Sequence, residues 1–170
     1  MKVFIEEQKF NQPLVIIIHS IVFIVIGITT HYNWPVNLTA SFGEKIGALS
    51  GLIFIALLAL LFLFIKLKTR VDEKGVHYQF YPFHLNFKTI PWGLISICYL
   101  RKYNAISEYG GWGMKFSFFG RTVKSFTTKG NIGLQLVLKN GKKVLIGTQK
   151  KDELERTLNT YQQKFETKEN

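Results

Sequence analysis

Two different solvents are implied by the hydrophobic pattern of this chain. Residues 14–30, LVIIIHSIVFIVIGITT, and residues 46–65, IGALSGLIFIALLALLFLFI, are apolar and nearly free of charge. From residue 66 onward, apolar residues recur in short alternating runs separated by turn residues. About 20 consecutive apolar residues cross a hydrocarbon core of about 30 Å. The pattern therefore predicts a two-helix transmembrane hairpin, with 1–13 as an N-terminal segment and 31–45 as the loop between spans. A cleaved leader fits the first run poorly, because Glu6 and Glu7 precede it, no A-x-A pattern follows it, and a second apolar run comes directly after.

Period-two alternation is the signature of half-buried strands. It predicts strands near 67–72, 76–82, 86–90, 94–103, 114–118, 122–126, 132–139 and 142–147, with a turn at Glu73-Lys74-Gly75. In LQLVLKNGKKVLIG the pair Asn140-Gly141 suits a two-residue type I′ hairpin turn, which needs positive φ at both positions. Leu134, Leu136 and Leu138 would share one face, as would Val144 and Ile146. Over 150–165 the period changes to that of a helix: Leu154, Leu158, Tyr161 and Phe165 form one stripe with charges between them. Such a stripe needs a sheet to cover. The expected architecture for 66–165 is a curved sheet or split barrel closed at one end by this helix, with 166–170 as a tail.

Charge gives the expected topology. The chain carries 22 Lys+Arg against 11 Asp+Glu. Residues 1–65 and 150–170 are each balanced, so the excess lies in 66–149. Lys2 and Lys9 precede the first apolar run, Lys66, Lys68 and Arg70 follow the second, and the segment between them offers only Lys45. Basic flanks stay on the cytoplasmic side. The expected location is thus the cytoplasmic (inner) membrane, multi-pass, with both termini and the β-rich part cytoplasmic. Lys66, Lys68 and Arg70 would lie at the lipid headgroups, where each contributes roughly 1 kcal/mol of attraction. Tyr32 and Trp34 would sit at the outer interface. Nucleic acid is the competing partner for a basic surface, and membrane attachment makes it the weaker expectation. Cys98, the single cysteine, cannot form an intramolecular disulfide and fits a buried thiol in a reducing compartment.

The strings IPWGLIS at 90–96, YGGWGMKF at 109–116 and LIGTQKKDEL at 145–154 are similar to those of an uncharacterised group of membrane-anchored bacterial pleckstrin-homology-like (PH-like) proteins. That resemblance covers the β-rich part of the chain. It implies a membrane-anchored α+β fold, in which the two-helix hairpin is followed by a PH-like split β-barrel of seven strands with a C-terminal amphipathic helix. It implies a fold and a location more than a chemistry. The group often has Pro where this chain has Lys151, a neutral difference at a helix start.

No P-loop, HExxH, G-x-S-x-G or paired-cysteine motif occurs, and the glycines at 110–113 lack dinucleotide-binding spacing. Asp72, Glu73 and Glu108 are the only carboxylates in 66–149, and the first two are adjacent in a turn, so a separated acid and base are hard to build. His77 and His84 flank an aromatic strand without a third metal ligand nearby. Asn37-Leu38-Thr39 is formally a sequon, and its place between the two runs makes it a chance match. No cofactor or metal is expected, and no enzymatic role. Three features remain. Gly43, Gly47 and Gly51 recur every four residues, as in close helix packing, against the other helix or in a homo-oligomer. His19 is an ionisable group inside an apolar run, where a proton or ion path is one reading and a neutral imidazole bonded to a neighbouring helix or snorkelling is the preferred one. Tyr109, Gly110, Gly111, Trp112 and Gly113, followed by Lys115, Arg121, Lys124 and Lys129, form a candidate interaction loop, whose structural alternative is a kink closed by Trp112. The expected function is a membrane-tethered interaction module binding a protein partner, itself or anionic lipid headgroups. An accessory subunit of a membrane transport or secretion assembly, working through its helices, is the alternative.

Overall fold

The computed structural model describes residues 2–32, 34, 41–116 and 123–165. It divides into two compact units, one made of the residues up to Phe10 together with those from Ile65 onward, the other of Asn11–Phe64. The sequon and the expected tail lie outside the described residues, as does most of the expected loop at 31–45.

Among the described residues the Asn11–Phe64 unit holds two helices. Helix α1, Pro13–Tyr32, starts on a proline, whose missing N–H costs nothing in a first turn. Helix α2, Phe42–Phe64, starts four residues before the apolar run. Ser41 and Glu44 form a capping box there: the Ser41 N–H donates to the Glu44 carboxylate at 2.7 Å, and the Glu44 N–H to the Ser41 hydroxyl at 3.3 Å. The helices run antiparallel, with the His19 ring edge-on to Phe62 at 4.8 Å and Ile26 against Gly51.

The expected two-helix transmembrane hairpin is corrected here. Among the described residues only α1 is long and apolar enough to cross a membrane, at 20 residues with none buried. The continuous apolar part of α2, Leu49–Phe64, gives about 24 Å of helix at 1.5 Å per residue, short of a core of about 30 Å. Gly43, Glu44 and Lys45 spend the first turn of α2 on polar and small residues. A multi-pass arrangement is therefore not supported.

Among the described residues the other unit is built from nine strands. Strand β1, Phe4–Lys9, pairs antiparallel with β2, Lys66–Asp72, from Phe4 opposite Val71 to Lys9 opposite Lys66. The Phe10 N–H donates to the Ile65 carbonyl at 3.2 Å, one step beyond the ladder. Next come β3, Gly75–Tyr81, and β4, Lys88–Pro91, completing a sheet of order β1-β2-β3-β4. The second sheet holds β5, Ile95–Lys102; β6, Gly113–Phe116; β7, Val123–Thr127; β8, Ile132–Leu138; and β9, Lys143–Gly147. Its order is β5-β8-β9-β7-β6, with β7 and β9 parallel. A short helix α3, Ala105–Tyr109, lies between β5 and β6, and α4, Lys151–Tyr161, follows β9.

These sheets of four and five strands do not close on one another, which corrects the expected PH-like split barrel. The break falls between β4 and β5. Pro91 cannot donate to a ladder, and the 3₁₀ turn Trp92–Leu94 then carries the chain to the other sheet. The β8–β9 turn is also corrected. Gly141 alone adopts positive φ, at 79°, while Asn140 does not. The loop is therefore three residues, Lys139 to Gly141, closed by Gly141 N–H to the Leu138 carbonyl and Leu138 N–H to the Lys142 carbonyl, both at 2.8 Å. Keeping Asn140 at negative φ avoids a left-handed non-glycine residue and lets its side chain accept from the Lys142 N–H at 3.1 Å.

The core gathers Phe4, Leu67, Val71, Val76 and Phe80 from one sheet with Phe126, Leu134, Leu136 and Ile146 from the other. Helix α4 adds Leu154, Leu158 and Tyr161, and Phe165 follows beyond a 3₁₀ turn, so the whole predicted stripe is buried. Trp92 stacks on Tyr161 at 5.6 Å and on Phe165 at 5.3 Å, while its indole N–H donates to the Asp72 carbonyl at 2.9 Å.

Candidate functional site

Strand β1 contributes more than backbone pairing. Its inward positions are Phe4, Glu6 and Gln8. The Glu6 carboxylate, 4% exposed, accepts from the Thr148 hydroxyl at 2.7 Å and the Gln149 N–H at 2.8 Å. The Gln8 amide donates to the Gly147 carbonyl at 2.7 Å and accepts from the Thr128 hydroxyl at 2.8 Å. Buried polar groups are tolerable only when bonded in this way. The first ten residues thus tie the two sheets together. Sequence reasoning missed this strand because two of its three inward residues, Glu6 and Gln8, are polar while the outward Ile5 is apolar.

Lys66, Lys68 and Arg70 alternate along one face of β2, but they do not act as a single group. Glu7 bridges Lys66 at 3.1 Å and Lys68 at 3.4 Å, and the two lysines hold its carboxyl below the usual range. Arg70 lies two residues beyond Lys68, about 7 Å along the strand at 3.3 Å per residue, and pairs instead with Asp72 at 3.0 Å. Asp72 also accepts from the His77 ring at 3.0 Å and the Lys74 N–H at 2.9 Å. Burial pushes the Asp72 carboxyl up, and these partners outweigh it to leave the group below its ordinary value. The other nitrogen of His77 bonds Thr89 at 2.8 Å. His84 is held elsewhere, against Tyr78 and Phe126, so the two histidines do not converge on a metal.

The candidate interaction loop caps the outer face of the five-stranded sheet. Asn104 caps α3 by accepting from the N–H groups of Ile106 and Ser107, and Gly110 ends the helix in the left-handed region at φ 68°. Gly111 and Gly113 also have positive φ, at 117° and 120°. Tyr109 and Trp112 pack on a small cluster of Tyr103, Ala105 and Leu145. The Trp112 indole donates to the Gly130 carbonyl at 2.9 Å, and Arg101 donates to the Tyr109 hydroxyl at 2.8 Å while pairing with Glu108 at 2.7 Å.

The basic residues after this loop are spread out. Lys115 is opposite Ser125 in the β6–β7 ladder, so strand alternation puts Lys115 and Lys124 on opposite faces. Lys129 lies beyond the far end of β7, where its carbonyl accepts from Gln149. Arg121 lies outside the described residues.

Among the helix features, only Gly51 meets the partner helix: an added Cβ would come within 3.2 Å of Ile26, whereas Gly47 faces open space and Gly43 meets only Ser41. The His19 ring bonds the Val15 carbonyl one turn back, at 2.8 Å. Cys98, partly buried on β5, has its thiol pushed up to about 12 by burial and is chemically quiet.

The segment between β3 and β4, residues 82–87, was expected to be strand on either side of a break. It is a tight loop that presents Phe83, Leu85 and Phe87 outward, at 53%, 77% and 48% exposure. Its backbone is fixed by inward groups. His84 N–H donates to the Phe80 carbonyl at 2.8 Å, Phe80 N–H donates to the His84 ring at 3.3 Å, and the Gln79 amide donates to the carbonyls of His84 and Leu85 at 3.1 and 2.7 Å. The sequence signal was present in PFHLNF, where apolar residues alternate around a single inward histidine. Compared with known proteins, the chain matches no family model and no curated sequence.

Proposed function

We propose that the protein is a membrane-attached, non-enzymatic interaction module, whose basic β unit binds a protein partner, a second copy of itself or anionic lipid headgroups at the cytoplasmic face. The pairing of β1 with β2 carries this reading. It ties both ends of an apolar helical insert into one folded unit, so any membrane that holds α1 holds the β unit beside it. Such attachment raises the effective concentration of the β surface toward lipid and toward membrane-bound partners. Lys2, Lys9, Lys66 and Lys68 flank the insert at both ends, where basic side chains are attracted to anionic headgroups. The polar groups of the candidate loop and of the Asp72 cluster are engaged in holding the fold, which favours a binding surface over a reactive one.

The test follows from the same pairing. Removing residues 1–65 would delete β1 together with the helices, so the informative variant replaces 11–64 by a short glycine-serine turn joining Phe10 to Ile65. The intact protein is expected in the membrane fraction after carbonate washing, and the variant in the soluble fraction. Affinity purification of both in mild detergent is expected to recover the same partners. Loss of all partners from the variant would move the function to the helices, as in an accessory subunit of a membrane assembly.

A further inference from the structure

We propose that the β3–β4 loop is a membrane-inserting tip, with Phe83, Leu85 and Phe87 seated in the interfacial layer of an anionic bilayer. The proposal rests on the membrane-attached reading above and adds a specific lipid contact to it. Position within the β unit is the first argument. Lys9, Lys66 and Tyr81 are opposite one another in register, at the sheet end where the chain leaves at Phe10 and returns at Ile65. The loop starts directly after Tyr81. Three large apolar side chains therefore stand at the end from which the apolar insert departs, while the Glu73-Lys74 turn marks the opposite end.

Chemistry is the second argument. Three exposed large apolar side chains within five residues are costly in water, and an interface that takes up apolar groups to a depth of about 5–10 Å removes that cost. Tyr81, 39% exposed, adds an aromatic with a polar tip, which suits the headgroup level. Lys9 and Lys66 border the same end, Lys68 lies two residues inward on the same face with Glu7 bridging it to Lys66, and Lys88 directly follows the loop. Lysines there can lay their stems on the apolar surface and reach anionic phosphates.

Rigidity is the third argument. The Gln79 and His84 bonds fix the loop backbone, and Phe83 stacks on the core residue Phe80 at 6.1 Å. The apolar residues are thus presented by a fixed turn, and insertion costs little ordering entropy.

The full-length protein, in a Cys98→Ala background, is placed in nanodiscs of equal parts phosphatidylglycerol and phosphatidylcholine. A nitroxide is attached in turn at Leu85→Cys, at Phe83→Cys, at Phe23→Cys in α1 and at Lys142→Cys on the β8–β9 turn. Melting temperatures are compared first: the exposed sites 85, 23 and 142 are expected to leave them unchanged, and Phe83→Cys, which loses the stack on Phe80, to lower them slightly while the fold is kept. The labels at 83, 85 and 23 are expected to collide with oxygen in preference to a water-soluble nickel chelate, by several-fold over the label at 142. If 83 and 85 behave like 142 while 23 reports lipid, the tip proposal falls and the membrane-attached reading stands. If 23 also behaves like 142, both fall. Shielding of 83 and 85 from both relaxants would mean a protein covers the loop, which also overturns the lipid contact.

Discussion

His84 lies 8% exposed between Tyr78 and Phe126, with its ring accepting from the Phe80 N–H. Burial lowers its pKa, and the charges of Lys88 and Lys124 lower it further. In the unfolded chain the imidazole takes its proton at about pH 6.5. Between the folded and unfolded values the unfolded chain binds more protons, so stability rises with pH across that window. The full contribution is present above about pH 6.5 and is lost as pH falls below it. The melting temperature of the intact protein should therefore drop on acidification from neutral pH before the carboxylates titrate. His84→Gln should lower melting at neutral pH and flatten that part of the profile. Glu6 gives a second residue-scale contrast. Glu6→Ala strands the Thr148 hydroxyl and the Gln149 N–H and should cost about 1–3 kcal/mol. Glu7→Ala, next to it on the exposed face, should cost about 0–1 kcal/mol. Urea denaturation of the variant lacking 11–64 measures both.

Elements are held by close approaches that a single atom disturbs. At Gly75 the chain has φ 151°, and a Cβ would lie 2.2 Å from the Ile90 carbonyl oxygen. Gly75→Ala should therefore cost on the order of 2–3 kcal/mol and release β4, seen as lost hydrogen-exchange protection from Lys88 to Pro91. Helix α4 depends on its apolar stripe. Leu158, 6% exposed, loses its burial and places a charge in the core when changed to Asp. Leu158→Asp should cost at least about 3 kcal/mol, whereas Glu155→Gln on the exposed face should stay within about 0.5 kcal/mol. Unchanged melting of Leu158→Asp would contradict the docking of α4.

At the scale of the molecule, β1 makes the β unit discontinuous in sequence, closing it across 54 intervening residues, Asn11–Phe64. Replacement of 11–64 by a short turn should leave a cooperatively folding unit with native near-UV circular dichroism. A fragment beginning at residue 66 should not fold, because Phe4, Glu6 and Gln8 leave the core with β1. The sequence by itself determined what depends on neighbours in the chain. Eight strands from residue 66 onward were legible from alternation, as was the buried stripe of Leu154, Leu158, Tyr161 and Phe165, because each pattern repeats within a few residues. The turn at Glu73-Lys74 was legible for the same reason. Tertiary structure decided the rest. The inward Glu6 and Gln8 of β1 make sense only beside Thr128, Gly147, Thr148 and Gln149, over a hundred residues away. Whether the sheet closed depended on the Pro91–Leu94 corner and on pairings between strands distant in sequence. Lys66, Lys68, Arg70, Lys115 and Lys124 look equivalent as letters. Strand alternation and the partners Glu7 and Asp72 separate them, because charge is local in space and not in sequence.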